Sequence, residues 1–246
     1  TASLLILLML FMTELMSNVA LVAVLVATSC SSNDNDALEG EPLSEKVMQD
    51  FVKDIQALSV PAALSASNNQ YAQQANAQFE TLKLLGSSFA TLFTVPANAT
   101  SVPSGAKSAS KESILNTQTY TWSADGVSVT YVISETSNRY NFEYSIVSPD
   151  FTGKFMDGYQ LKDGSYAEAS LYIDNVAYTT IKWWVETDTT KIELDTDGYK
   201  LVLESNSNNS GNMKVYEGTF LASLYEWTAS GSGSYTDYNT NMTYSW

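Results

Sequence analysis

Asp188, Glu193, Asp195 and Asp197 are the densest carboxylates in the β-rich part of the chain. A glycoside hydrolase needs two carboxyl groups about 5 to 9.5 Å apart across a cleft. The run Leu194-Asp195-Thr196-Asp197-Gly198-Tyr199 instead fits a tight turn between Ile192/Leu194 and Tyr199/Leu201/Leu203, which predicts these acids as turn formers in water. As a calcium loop it fails, because Gly198 comes too early and no Glu stands at the twelfth position. The 246 residues contain no His. That removes the commonest general base, the usual nucleophile–base pairs and nearly all zinc sites. One Cys allows neither an intramolecular disulfide nor a multi-Cys metal centre. The expectation is a non-enzyme with no catalytic residue, metal ligand or cofactor. Twenty-seven acids against 12 bases give a net charge of -15, which repels phosphate backbones and excludes nucleic acid as a partner.

Trp183-Trp184 offers a different chemistry. Successive strand residues point to opposite faces, so only one of the two indoles enters a core. With Ile181, Trp183 and Val185 inward, Trp184 shares the other face with Tyr178 and Lys182. Tyr178 and Trp184 are therefore the candidate ligand-binding residues, an aromatic platform for a glycan, a peptide or an apolar molecule. The competing reading is plain packing on a sheet buried on both faces. A turn at Asp174-Asn175 leaves the pairing open by one residue, which would exchange the faces.

These residues lie in a region, 117–246, that is rich in Tyr, Thr, Val and Trp. Asp125-Gly126, Asp157-Gly158, Asp163-Gly164 and Asp197-Gly198 mark hairpin turns. Between the turns, Val127, Val129, Tyr131 and Ile133 alternate with polar residues, as do Tyr140, Phe142, Tyr144 and Ile146. Further strands are expected near 165–173, 177–187, 190–195, 198–204, 213–222 and 224–229. Hairpins with no helix between them predict an antiparallel up-and-down meander, barrel-like or strongly curled. Before it, 44–95 reads as helical. Ser44 caps a helix burying Val47, Met48, Phe51, Val52, Ile55 and Leu58 and ending at Val60-Pro61. A second helix spans about 69–93 through Phe79, Leu82, Leu85, Phe89 and Leu92, with Gly86 as a point of kinking or breakage. Segment 96–116 reads as a linker. The fold class is thus α+β, and 44% hydrophobic with 12% aromatic residues suffices for a sizeable core.

Residues 1–29 form an apolar signal or membrane segment, interrupted by Glu14 and Asn18. No Lys or Arg precedes Lys46. Residues 30–43 are a polar, acidic tether. The stretch Ala27-Thr28-Ser29-Cys30-Ser31-Ser32-Asn33-Asp34 resembles the lipobox of bacterial lipoproteins, and the residues after the Cys resemble those of Bacteroidota surface lipoproteins. That resemblance implies acylation of Cys30, a membrane partner through the acyl anchor, and an outer-membrane or cell-surface address. Upstream, Thr13-Glu14-Leu15-Met16-Ser17-Asn18-Val19-Ala20 resembles a signature helix of divalent-anion:sodium symporters, which implies a fused or fragmentary reading frame over residues 1–28.

The function expected is a membrane-anchored, extracytoplasmic, non-catalytic binding or adhesion module. The alternatives are a structural accessory that docks another envelope protein by a sheet edge or helix, and a carboxylate-dependent glycan hydrolase.

Overall fold

The computed structural model of the chain describes residues 42–104, 114–124 and 126–246. The apolar segment 1–29, Cys30, all but the end of the tether, and Asp125 lie outside the described residues. Among the described residues, thirteen strands pair in strict chain order as an antiparallel up-and-down meander, with the first and last strands at opposite ends of the order and not paired with each other, so that the sheet is not closed. The helices are a small N-terminal region before a mostly β chain, and α+β describes it only approximately.

Among the described residues, one compact unit comprises those from 42 to 49 and those between 88 and 160. Its strands are β1 (Thr100–Ser104), β2 (Asn116–Ala124), β3 (Val127–Glu135), β4 (Arg139–Val147) and β5 (Thr152–Leu161). β1 arises inside the segment expected as a linker and pairs with β2 from Thr100↔Thr121 to Ser104↔Thr117. The alternation in β3 and β4 is as expected, with Val129, Tyr131, Ile133, Phe142, Tyr144 and Ile146 buried. Phe93 meets Phe142 edge-on at 5.2 Å.

The pair Asp157-Gly158 does not turn the chain; it lies within β5. A tight hairpin turn needs positive φ at its glycine, and Gly158 is not among the glycines that have it. Phe155 and Met156 are both buried, so strict alternation slips at this point of the strand.

The start of the helical region also departs from expectation. Ser44 caps no long helix but lies in a single 3-10 turn, Leu43–Glu45, and α1 begins only at Gln49 (Gln49–Ala57). Met48 breaks the run with φ at 66°. Tertiary contacts override helix propensity here. Met48 is completely buried, and its N–H donates to Gln160 Oε1. The Leu43 N–H likewise donates to Gln118 Oε1 at 2.8 Å, and that same oxygen accepts the Tyr120 hydroxyl. Two buried strand glutamines thus satisfy main-chain donors: that of Met48, which an uninterrupted helix would have paired with the Ser44 carbonyl, and that of Leu43, which no helix starting at Ser44 would pair.

The other unit comprises 50–87 and 161–246. It carries most of α1, the short α2 (Ala62–Ser65), most of α3 (Gln70–Thr91), and eight strands. These are β6 (Tyr166–Ile173), β7 (Val176–Val185), β8 (Thr189–Thr196), β9 (Tyr199–Asn206), β10 (Gly211–Glu217), β11 (Phe220–Trp227), β12 (Gly233–Asp237) and β13 (Met242–Ser245). The helices cover one face of this group. Phe51 of α1 lies 4.0 Å from Trp183, Phe79 of α3 meets Trp227 edge-on at 6.5 Å, and Tyr71 stacks on Tyr235 and Tyr244 at 5.2 and 4.3 Å. Gly86 does not break α3. A Cβ there would collide with Ile55 Cδ1 and stand 2.9 Å from Ile55 Cγ2, so the glycine is what lets α1 approach α3.

Candidate functional site

Trp183 and Trp184 take opposite faces of β7. Trp183 is 2% exposed beneath Phe51, whereas Trp184 is half-buried on the face away from the helices. Tyr178 shares that outer face but stands six residues earlier, roughly 20 Å along the strand at about 3.3 Å per residue. The two aromatics therefore do not form one platform.

Tyr178 is instead the extra residue of a β-bulge. Asp174 and Asn175, with φ of 51° and 62°, form the two-residue turn, and Ile173↔Val176 and Tyr172↔Ala177 pair beside it. The register then slips, so that Leu171 pairs with Thr179 and Tyr166 with Trp184. An unbroken ladder would set Tyr166 opposite Trp183 and Ala167 opposite Lys182. The slip instead aligns Ala167, Ala169 and Leu171 with Trp183, Ile181 and Thr179, all buried, which keeps the apolar set on one face.

The register assembles a cross-strand row on the outer face: Tyr166, Trp184, Lys191, Glu204 and Asn212 on β6 to β10. Tyr166 and Trp184 rings lie 5.2 Å apart, inclined at 53°. The Tyr166 hydroxyl donates to Glu168 at 2.6 Å. On the other side, Lys191 Nζ sits 4.5 Å from the Trp184 ring centroid, a cation–π contact. Asn212 Nδ2 donates to Glu204 at 2.8 Å, and Lys214 Nζ lies 3.6 Å from the same carboxylate. The Asn212 hydrogen bond, with Lys214 and Lys191 nearby, holds the Glu204 carboxyl below its ordinary pKa. Glu204 is thus a fixed, ionised acceptor rather than a proton donor. Trp184, Glu186, Thr189, Lys191 and Glu204 line a depression of about 400 Å3.

The four acids singled out by sequence separate into two groups. Asp197, with φ 39°, and Gly198, with φ 77°, form the turn between β8 and β9, and Asp188 lies in the loop before β8. Glu193 and Asp195 are strand residues of β8, opposite Lys182 and Lys200 respectively. They lie side by side on a sheet surface. Asp188 also borders a second depression of about 270 Å3, near Asp54, Ser59 and Asn209. Burial and the neighbouring Asp50 push the Asp54 carboxyl above its ordinary pKa.

Among the described residues, no group of three or more His, Cys, Asp or Glu could hold a metal ion, and no helix is long and apolar enough to cross a membrane. Tyr166, Lys191 and Glu204 escape a reading along a single strand because they are neighbours of Trp184 only across strands. The bulge that sets Tyr166 opposite Trp184 has no local sequence mark. Comparison of the sequence with protein-family models and with curated proteins gives no match.

Proposed function

We propose that this chain is a membrane-tethered, extracytoplasmic binding module without catalytic activity, anchored through an acylated Cys30 at the outer membrane or cell surface, with its ligand on the outer face of β6 to β9. The observation that carries the reading is the cross-strand row around Trp184. Trp184, a lysine and a fixed carboxylate border a depression on the face opposite the helices, with the Tyr166 ring packed beside the indole. Central sheet strands hold such side chains in place, so little side-chain entropy is lost on binding. Binding in place of catalysis is supported by the arrangement of the acids. Glu193 and Asp195 do not face each other over a cleft, and Glu204 is kept ionised, whereas glycoside hydrolysis needs a protonated acid facing a second carboxyl. The tether reading is supported by the lipobox-like residues around Cys30.

Intact-mass analysis of the protein from its native membranes tests the anchor. A mature product beginning at Cys30 with diacylglyceryl and acyl additions is expected, and an unacylated product retaining residues 1–29 would refute it. Loss of binding in Trp184→Ala, with unchanged stability, tests the ligand face.

A further inference from the structure

Resting on the binding reading above, we infer that the Trp184 depression takes a neutral glycan, with a pyranose ring laid against the indole in the place of the Lys191 ammonium. The lining residues discriminate among ligand classes. An apolar ligand requires a mostly apolar wall, but of Trp184, Glu186, Thr189, Lys191 and Glu204 only the tryptophan is apolar. An extended peptide is usually held by unpaired main-chain groups at a sheet edge. Here β7 to β9 are interior strands whose residues are paired on both sides. An acidic sugar meets two carboxylates against one ammonium in the lining, on a chain of net charge -15.

A neutral pyranose fits every lining group. Its C–H face matches the quadrupole of the indole ring, as the Lys191 cation does now. Its hydroxyls find acceptors in Glu186 and in Glu204, which Asn212 and Lys214 orient and hold. Lys191 can donate to a ring or hydroxyl oxygen once it leaves the ring face. That movement costs little, since a lysine–aromatic contact at a solvent-accessible site is worth about 0.5–1 kcal/mol. The depression, at about 400 Å3, falls within the range of small-molecule pockets.

Affinity electrophoresis of the whole chain through gels containing soluble neutral polysaccharides (a β-glucan, a xylan and a mannan), and through a gel containing the polyuronate alginate, tests this. At least one neutral polysaccharide should retard the protein and alginate should not. Trp184→Ala should weaken the retarding interaction about tenfold, or ~1.4 kcal/mol. Glu204→Gln should weaken it less, and Tyr178→Phe not at all. Urea midpoints of the variants separate loss of the site from loss of the fold. Retardation by alginate alone, by no polysaccharide, or equally in wild type and Trp184→Ala would overturn the glycan assignment. A parallel titration with the apolar dye 1-anilinonaphthalene-8-sulfonate distinguishes the two levels. Dye binding abolished by Trp184→Ala, with no glycan bound, keeps the binding face and refutes its sugar ligand. Indifference of every probe to Trp184 refutes both.

Discussion

Replacing Gly86 by alanine should destabilise the protein, against the ordinary rule for helices. In a helix interior, Gly→Ala gains about 1 kcal/mol from backbone propensity. Here the new Cβ would collide with Ile55 Cδ1, and would lie 2.9 Å from Cγ2 and 3.3 Å from Cγ1. The Cδ1 methyl can swing away by a rotamer change, but Cγ2 is fixed close to the α1 backbone. Overpacking of this kind costs roughly 1–3 kcal/mol. After the propensity gain, a net loss of up to about 2 kcal/mol remains. In an Ile55→Ala background all three clashing atoms are gone, so Gly86→Ala should then stabilise by up to about 1 kcal/mol. The double-mutant cycle should therefore give a coupling of about 1 to 3 kcal/mol, beyond the few tenths expected of independent sites. Urea unfolding followed by tryptophan fluorescence reads all four corners, since Trp183 is buried near Ile55's helix. Gly86→Ala that is stabilising in the wild-type background, or an effect equal in both backgrounds, would show that the α1–α3 approach is not set by this glycine.

Gln160→Leu should cost about 1–3 kcal/mol by leaving the buried Met48 N–H without an acceptor, measured as a lower urea midpoint with unchanged slope. Asp54→Asn should raise the melting temperature at neutral pH. The folded-state pKa of Asp54 is raised by burial and by Asp50, so the folded state holds its proton more tightly than the unfolded chain. Stability is therefore lost as pH rises from the unfolded value through the folded one, and the advantage of the variant should vanish at low pH. Burial likewise raises the phenols of Tyr131, Tyr144 and Tyr225. Their stabilisation is complete below the unfolded value near pH 10 and falls above it. Alkaline absorbance titration should accordingly show a tyrosine subset that ionises only as the protein unfolds, and smooth ionisation of every tyrosine before loss of near-UV circular dichroism would contradict this.

Where a feature depends on contacts close in sequence, the chain could be read directly. Asp197-Gly198 turns because its two residues accept positive φ, and the alternation through Val129, Tyr131 and Ile133 marks a strand with one buried face. Where distant groups decide, local pattern misleads. Asp157-Gly158 has the composition of a turn but is held extended in β5, and Met48 leaves a helical run because Gln160 takes its N–H. Gly86 looked like a point of weakness in α3 and is a point of close approach. The candidate site shows the same division. Trp184 follows from parity within β7, whereas Tyr166 depends on the register shift at Tyr178, and Lys191 and Glu204 on the pairing of β7 with β8 and of β8 with β9, none of which a single strand reveals.

Strict pairing of each strand with its predecessor has a consequence for how the molecule forms. From β2 onward each strand follows its predecessor over a short connection, so that part of the sheet can grow one strand at a time with little loop-closure entropy at any step. The helical segment 50–87 is different, because Phe51, Phe79 and Tyr71 find their aromatic partners only on β7, β11 and β12–β13, far downstream. A chain emerging from its N-terminus therefore displays those apolar helix faces before the strands that cover them exist. Slow or truncated synthesis exposes a sticky surface at that stage, so the aggregation hazard of this protein lies in the nascent helices, and a chaperone that shields residues 50–87 should raise the yield more than one that acts on the strands.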